Sequence, residues 1–434
     1  MGEAKTNIIL NEDYKDNKIL FDKGEGDKIF FKNKAYIDLS NCAGSLILGH
    51  NSNVFKKSLK LYLNKKITIF AHPSIHAINF SKNIKKVFPN FSKIIFCNSG
   101  AEAVMKSLRL SKSLNKKNLI VNVVGSWHGS VDKLLFYPNK YLKPQKLSDG
   151  LSLDDKKKLI YIPYNDIAKS SKILNKFKND INCIIIEPIQ ACLPLDNIKK
   201  YLQFLERFCK KNNSILIFDE IITGIRIRPG SIQRKYNINA DITTVGKILG
   251  GGLPIGMIGI SEKVNKIIKN KNIKVFFGGT FSANSLSSFV GNETLKFLLK
   301  NKNLIHSHSG KLPQYPGSTT LYYMLLNIQK IFCTTIILNQ NLDRGKILLT
   351  KRYKIPRNQI LIENKLDNLV RAKNIVLVIK NLEKYLNKKK NIGKYFPPYY
   401  IAHPIIRQIV LNKKSIKNTL KNLMLVNPHE NKLI

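Results

Sequence analysis

The chain has 434 residues, 43% of them hydrophobic and 23% charged, an ordinary soluble composition with room for about two or three domains. It carries 73 Lys and Arg against 28 Asp and Glu, a formal net charge of +45. This composition excludes collagen-like, disulfide-scaffold and wholly disordered chains. The lack of any apolar run of about 18 residues excludes a membrane-spanning helix.

The opening MGEAKTNIILNEDYKDN mixes acids and bases with no apolar core, so no secretory leader is expected. Residues 1–90 read as an extended entry segment with short strands, and AYIDLSNCAGSLILGH (35–50) is strand-like before glycine punctuates it. From 91 to about 290, apolar runs alternate with helical periodicity. KIIFCN leads into a helix opening at Ser99-Gly100-Ala101-Glu102. LIVNVVG ends at a turn, and NCIIIEP ends at Glu187-Pro188. IKKYLQFLERFCKKN carries a helical stripe, SILIFDE returns to strand, and ADITTVGK continues the series. Continuous apolar runs between helices predict an α/β fold with a mostly parallel sheet covered on both faces. Ligands of such sheets bind beyond the carboxyl ends of the strands, where Ser99, Trp127, Glu187, Asp219 and Lys247 fall.

The pattern changes near 300. Turn chemistry occurs at Leu312-Pro313 and Tyr315-Pro316-Gly317. A helical stretch (318–328), a strand (332–338) and the turn Asp343-Arg344-Gly345 follow, and 356–434 is amphipathic and rich in lysine. The expected division is an N-terminal segment over 1–90, a large domain over 91–298, a short segment over 299–356 and a lysine-rich region over 357–434. The excess lysine is scattered and its dense runs (156–158, 388–390) are short. It therefore reads as coding bias rather than one basic face, with only non-specific, salt-sensitive nucleic-acid binding expected. None of the six cysteines (Cys42, Cys97, Cys183, Cys192, Cys209, Cys333) forms a C-x-x-C pair. They read as reduced thiols of a cytoplasmic protein, with no metal site.

IFDEIITGIR and TTVGKILGGGLPIG hold the most informative pair. Asp219 ends an apolar strand, and Lys247 follows it on the next one, before a glycine-rich turn. A lysine at a strand end, desolvated, can have its pKa lowered and condense with a carbonyl. A strand-end carboxylate can keep a pyridine nitrogen protonated, which makes the ring an electron sink. Pyridoxal phosphate chemistry needs both groups. Asn98-Ser99-Gly100-Ala101-Glu102 offers free N–H groups and a hydroxyl at a helix N-terminus for the phosphate. Trp127, the one tryptophan, offers a face for the ring. Singly, each has a structural explanation: an N-cap, a core side chain, a strand-end cap. Their order along one sheet edge is what points to chemistry.

Residues 25–298 resemble a class III, fold-type I pyridoxal-phosphate aminotransferase, most similar within that class to the glutamate-1-semialdehyde 2,1-aminomutases. The matching stretches are YIDLSNCAGSLILGH, IIFCNSGAEAVMKSLRLSKSL, VVGSWHGSVDKLL, IIIEPIQ, LIFDEIITGIR, TTVGKILGGGLPIGMIGI and GGTFSANSLSS. The resemblance implies that Lys247 binds the cofactor aldehyde and shuttles the proton, with Asp219 on the pyridine nitrogen. It implies that Ser99, Gly100 and Ala101 cradle the phosphate, with His128 also at the cofactor. Trp127 would stack on the ring, where the family more often has tyrosine or phenylalanine. Glu187 would sit near the ring oxygen or substrate. Thr280 would reach the phosphate of a partner subunit, implying a homodimer. Ala101 stands where relatives often have threonine, and Ala283 where many have glycine. The family continues into a long C-terminal small domain, whereas this resemblance stops near Leu298.

In the stretch 303–356, His308 follows a short apolar run and Asp343 lies at a strand-to-turn junction, a pair able to share proton transfer. With Leu312-Pro313, Gly317-Ser318 and Asp343-Arg344-Gly345, the order resembles the second part of the methionyl-tRNA and glycinamide ribonucleotide formyltransferases. There His306 replaces an asparagine that polarises the formyl carbonyl. The upstream half of that fold is missing. This resemblance implies 10-formyltetrahydrofolate as a possible second cofactor. The expected function is therefore pyridoxal 5′-phosphate-dependent transfer or migration of an amino group on a small amino or oxo substrate. The alternatives are formyl transfer by the tail, or an inactive fusion of two truncated enzymes.

Overall fold

The computed structural model describes residues 19–70, 72–195, 197–226, 231–300, 305–317, 320–337, 345–356, 362, 365–381, 384 and 385. The chain divides into two compact units, Met1–Asn301 and Lys302–Ile434.

The first unit opens with an antiparallel meander of β1 (Lys23–Glu25), β2 (Lys28–Phe31) and β3 (Lys34–Ile37). Its centre is a seven-stranded sheet. The strands, in chain order, are β4 (Phe91–Cys97) and β5 (Leu119–Val123), then, after a ribbon of β6 (Phe136–Pro138) and β7 (Pro144–Lys146), β8 (Leu159–Ile162), β9 (Ile181–Ile186), β10 (Ile215–Asp219), β11 (Ile242–Val245) and β12 (Gly256–Ser261). Their spatial order is β4-β12-β11-β10-β9-β5-β8. The pairings of β11, β10, β9, β5 and β8 are parallel, each joined through a crossover, whereas β12 runs antiparallel to both neighbours. Only ten residues, 246–255, separate β11 from β12, fewer than the dozen or more that a parallel return needs. The mostly parallel expectation therefore becomes a mixed sheet with one reversed strand.

Burial explains the apolar runs. In β9, Cys183 and Ile185 pack into one core cluster with Leu108 and Leu110, while Ile184 and Ile186 pack into another with Leu202 and Leu205. β10 alternates in the same way, Ile215 and Ile217 on one face and Leu216 and Phe218 on the other. A strand covered on both faces needs no polar alternation. Helix Lys199–Lys211 buries Tyr201, Leu202, Leu205, Phe208 and Cys209, one stripe at helical spacing. Helix Gly100–Leu114 starts where the Ser99 Oγ accepts the Glu102 N–H at 3.1 Å and the Glu102 carboxylate accepts the Asn98 N–H at 2.9 Å, a near capping box.

β4 shares its direction with β11, since both are antiparallel to β12. The carboxyl ends of β4, β5, β9, β10 and β11 thus lie along one edge, and Ser99, Trp127, Glu187, Asp219 and Lys247 all follow or end these strands.

The second unit holds an antiparallel sheet β13-β14-β15 of Ile305–His308, Ile331–Ile337 and Lys346–Tyr353. Helices Thr320–Ile328 and Leu366–Lys380 bury Leu321, Leu325, Leu366 and Val370 with Ile331 and Cys333. Most of the lysine-rich region 357–434 lies outside the described residues.

Candidate active site

Asp219 closes β10 and is 3% exposed. Its Oδ2 accepts from His128 Nδ1 at 2.7 Å, and its Oδ1 accepts from the Thr244 hydroxyl and the Ile221 N–H, each at 3.1 Å. The far nitrogen of His128, Nε2, meets the Asn122 amide at 3.2 Å. A chain of Asn122, His128 and Asp219 therefore fixes the carboxylate within the core. A buried carboxylate needs such partners to persist as an anion. Thr244 pairs with Asp219 across the strands, so the lysine three residues beyond Thr244 emerges beside that carboxylate's strand.

Lys247 begins a tight turn, Lys247–Gly250, with φ +47 after an extended Gly246. Its Nζ donates to Ala43 O at 3.0 Å. Among the described residues no carboxylate pairs with it. The acceptor belongs to the turn Asn41–Gly44, where Asn41, Cys42 and Ala43 have φ of +50, +52 and +49. Three consecutive left-handed residues other than glycine are uncommon. Asp38 helps hold them. Its Oδ1 accepts the N–H groups of Ser40 and Asn41, and its Oδ2 contacts His50 Nε2 at 2.7 Å. Burial works to raise the Asp38 carboxyl, but the His50 contact and the two turn N–H groups hold it down to about 2.

The helix N-terminus at Gly100 abuts the same cluster. A Cβ on Gly100 would stand 2.7 Å from Ile221 Cδ1, and one on Gly246 would stand 3.7 Å from Gly100 Cα. Gly129, at φ +73, lies against Ala101, where a Cβ would be 3.1 Å from the alanine methyl. The glycines thus let three loops close on the first turn of the helix. Beside it, the buried Asn98 Oδ1 and Ser282 Oγ have no hydrogen-bond partner. The Ser282 hydroxyl can donate to an anion beside the free helical N–H groups, a fit for a phosphate, whereas the Asn98 Oδ1 only accepts.

Glu187 follows β9, is buried, and accepts the Trp127 N–H at 2.9 Å. Burial pushes its carboxyl above the usual range; the Trp127 N–H opposes this and the Asp219 charge adds to it. The Trp127 side chain is 60% exposed, available as a stacking face rather than used as core. Thr280 is exposed in a cavity of about 460 Å³ shared with His72, Ser74 and Ser282. It is not among the side chains gathered on Lys247. Its neighbour Gly279 lies near Asn98, where a Cβ would be 3.6 Å from the amide nitrogen.

The tail pair looks different. His306 and His308 lie in β13, and His308 is 2% exposed. Its Nε2 donates to Tyr315 O at 2.6 Å, pinning the loop that contains Leu312-Pro313. Asp343 lies outside the described residues. Among the described residues, no group of three or more His, Cys, Asp or Glu could hold a metal, and no helix is long and apolar enough to cross a membrane. Burial pushes the Cys97 thiol up to about 11 and those of Cys183 and Cys333 up to about 12, which keeps them unreactive.

The supporting residues Asn122, Thr244 and Ala43 went unmarked in the sequence. Asn122 in LIVNV and Thr244 in ITTV did carry a signal, being polar positions in strands buried on both faces. Ala43 carried none, because it acts through its carbonyl.

A family model described as aminotransferase class-III matches residues 9–311. The glutamate-1-semialdehyde 2,1-aminomutase of Archaeoglobus fulgidus is 36% identical over 283 residues, covering 64% of this chain and 67% of its own length. That of Thermodesulfovibrio yellowstonii is 33% identical over 358 residues, covering 78% of this chain and 82% of its own. Among solved structures, a transaminase with PLP bound superposes with a TM-score of 0.61 at 19% identity, covering 85% of this chain and 91% of that one. The first unit holds 301 of the 434 residues, so part of the second unit takes part in the last match. The chain spans about two thirds of the length of the Archaeoglobus relative.

Proposed function

The chain belongs to the class III aminotransferases, and from that premise we propose that it transfers or migrates an amino group with pyridoxal 5′-phosphate held on Lys247. When bound, that group supplies an aldehyde that condenses with amines and a cationic ring that draws electrons from the attached carbon.

Each remaining part is supplied by the chain. Asp219, held by His128, Thr244 and Ile221, keeps a proton on the ring nitrogen. The N–H groups at Gly100 and Ala101, with the Ser99 hydroxyl, bind the phosphate, and Trp127 covers one ring face. Glu187, whose carboxyl burial raises above the usual range, would face the ring oxygen or the substrate. Lys247 Nζ, which donates to Ala43 O and has no carboxylate partner among the described residues, would be the amine that holds the aldehyde and the base that moves a substrate proton. The observation that carries this reading is the meeting of Asp219, Lys247 and the glycine-lined helix start at one sheet edge. The full-length protein with pyridoxal 5′-phosphate is expected to show the absorbance band of lysine-bound cofactor, and Lys247→Ala to lose it. A folded wild-type protein without the band contradicts the reading.

The two aminomutase relatives support migration within one molecule. Turnover of glutamate-1-semialdehyde is then expected without an added oxo acid, whereas an absolute need for one supports intermolecular transfer. Exposed Phe276, Phe281, Ile75 and Ile78 support a homodimer, with Thr280 serving the partner's phosphate. The cysteine pattern supports a cytoplasmic setting.

For the second unit, the order β13, Leu312-Pro313 turn, helix, β14 supports a relationship to formyltransferases. The buried, bonded ring of His308 argues against formyl transfer. No product from 10-formyltetrahydrofolate and an amine is expected; formation of a product that Asp343→Asn abolishes would overturn this.

A further inference from the structure

Two cations meet consecutive carbonyls of one turn. Lys247 Nζ donates to Ala43 O at 3.0 Å, and Arg226 Nη2 donates to Gly44 O at 2.5 Å. These acceptors belong to adjacent residues, whose Cα atoms are ~3.8 Å apart. Arg226 Nε also donates to Ile222 O at 3.0 Å. The guanidinium is half-buried, and among the described residues no carboxylate pairs with it. Its Nη1 has no hydrogen-bond partner among the described residues. Burial alone pulls its pKa below the usual value, as expected of a cation lacking a counter-ion.

Backbone strain brackets the contact. Ile225, immediately before the arginine, has φ +67, and Asn41, Cys42 and Ala43 are left-handed on the other side. A β-branched residue at positive φ is a genuine outlier, and such outliers persist where surrounding structure holds them. The strain at Ile225 aims Arg226 back at the Gly44 carbonyl. Gly44 leaves it room, since a Cβ there would stand 3.0 Å from Nη2.

A desolvated arginine without an acidic partner is a receptor for a carboxylate, which its planar fork binds through two parallel N–H groups. We propose that Arg226 receives the carboxylate of an amino- or oxo-acid substrate whose reacting end lies at Lys247. This rests on the reading of Lys247 given above. Nη1 and the second proton of Nη2 are the donors, and Arg226 thereby sets a preference for acidic over uncharged amines. The large positive charge of the chain favours the same substrates by steering.

The test titrates full-length, cofactor-loaded protein with 5-aminopentanoate and with pentylamine, which differ only in the carboxylate. The shift of the Lys247 absorbance band reports binding. The wild type is expected to favour 5-aminopentanoate, and Arg226→Met to lose that preference by weakening it on the order of 10- to 100-fold with pentylamine unchanged. Arg226→Lys, which keeps the charge without the fork, is expected to restore part of it. Equal binding of the two amines by the wild type overturns the proposal. So does an Arg226→Met variant that weakens both amines alike, the result expected if the arginine only pins the turn. A parallel calorimetric arm adds glutarate to the cofactor-free protein. Should the loaded protein show no band, the Lys247 reading fails and this arm decides. Weaker glutarate binding in Arg226→Met supports the receptor role, and unchanged binding overturns it.

Discussion

Asp219 draws its proposed function from what surrounds it. The carboxylate is spent on three donors, and one of them, His128, leans on Asn122. Asn122→Ala leaves Nε2 of a buried histidine without its partner, a loss of about 1–3 kcal/mol that a denaturant melt would record. Asp219→Asn keeps the shape and removes the charge. It is expected to hold the cofactor on Lys247 while lowering turnover by on the order of 100-fold, since the ring proton is no longer secured. Activity unchanged in Asp219→Asn would remove that role. Asp38 gives a pH signature. Its carboxyl is held down to about 2 in the folded chain, against roughly 3.9 in an unfolded one. The stability it adds is present above the higher value and is lost as pH falls toward 2. Asp38→Asn should therefore flatten the acid limb of the stability curve, and an unchanged limb would show that the turn does not depend on it. Asn98 was legible as a polar residue beyond a strand end, whereas Thr244, buried within β11, went unmarked. Arg226 was not, because nothing in the sequence separates one cation from the rest in so basic a chain.

Among the elements, periodicity carried the strands and helices of the central sheet, since its cause is the burial that the structure displays, but the reading of 1–90 as an extended segment missed helices Asn53–Asn64 and Ile75–Val87. NCIIIEP and SILIFDE are apolar throughout because β9 and β10 are covered on both faces. Helix Lys199–Lys211 supplies one of those covers. Leu205→Ala there is expected to cost roughly 2–5 kcal/mol by thermal or denaturant unfolding; a loss under about 1 kcal/mol would mean that this helix does not seal the sheet. Direction was not legible. A buried apolar run reads the same whether parallel or antiparallel, so the reversal of β12 followed only from its short connection. The Asn41–Gly44 turn was also hidden. Asn-Cys-Ala carries no demand for three left-handed residues, and the conformation is imposed from outside by Asp38, Arg226 and Lys247. In the tail the bonding of His308 to Tyr315 O, which removes its freedom, was not legible.

At the scale of the whole molecule, one unit carries the entire candidate site and leaves apolar side chains uncovered around Thr280. Phe276 is 78% exposed, and the exposed Phe70 and Ile78 line the cavity that holds Thr280, a grouping of the kind that marks an interaction surface. A dimer in sedimentation is expected, with Phe276→Asp shifting it toward monomer and lowering activity together. A monomeric, fully active wild type would contradict the sharing of Thr280. The proposed chemistry depends on a single bond, that between Lys247 and the aldehyde of pyridoxal 5′-phosphate. The most direct measurement is borohydride reduction of the loaded full-length protein followed by peptide mapping. The predicted result is one reduced pyridoxyl group, on the Lys247 nitrogen. A reduced adduct on other lysines with Lys247 unmodified would contradict the assignment.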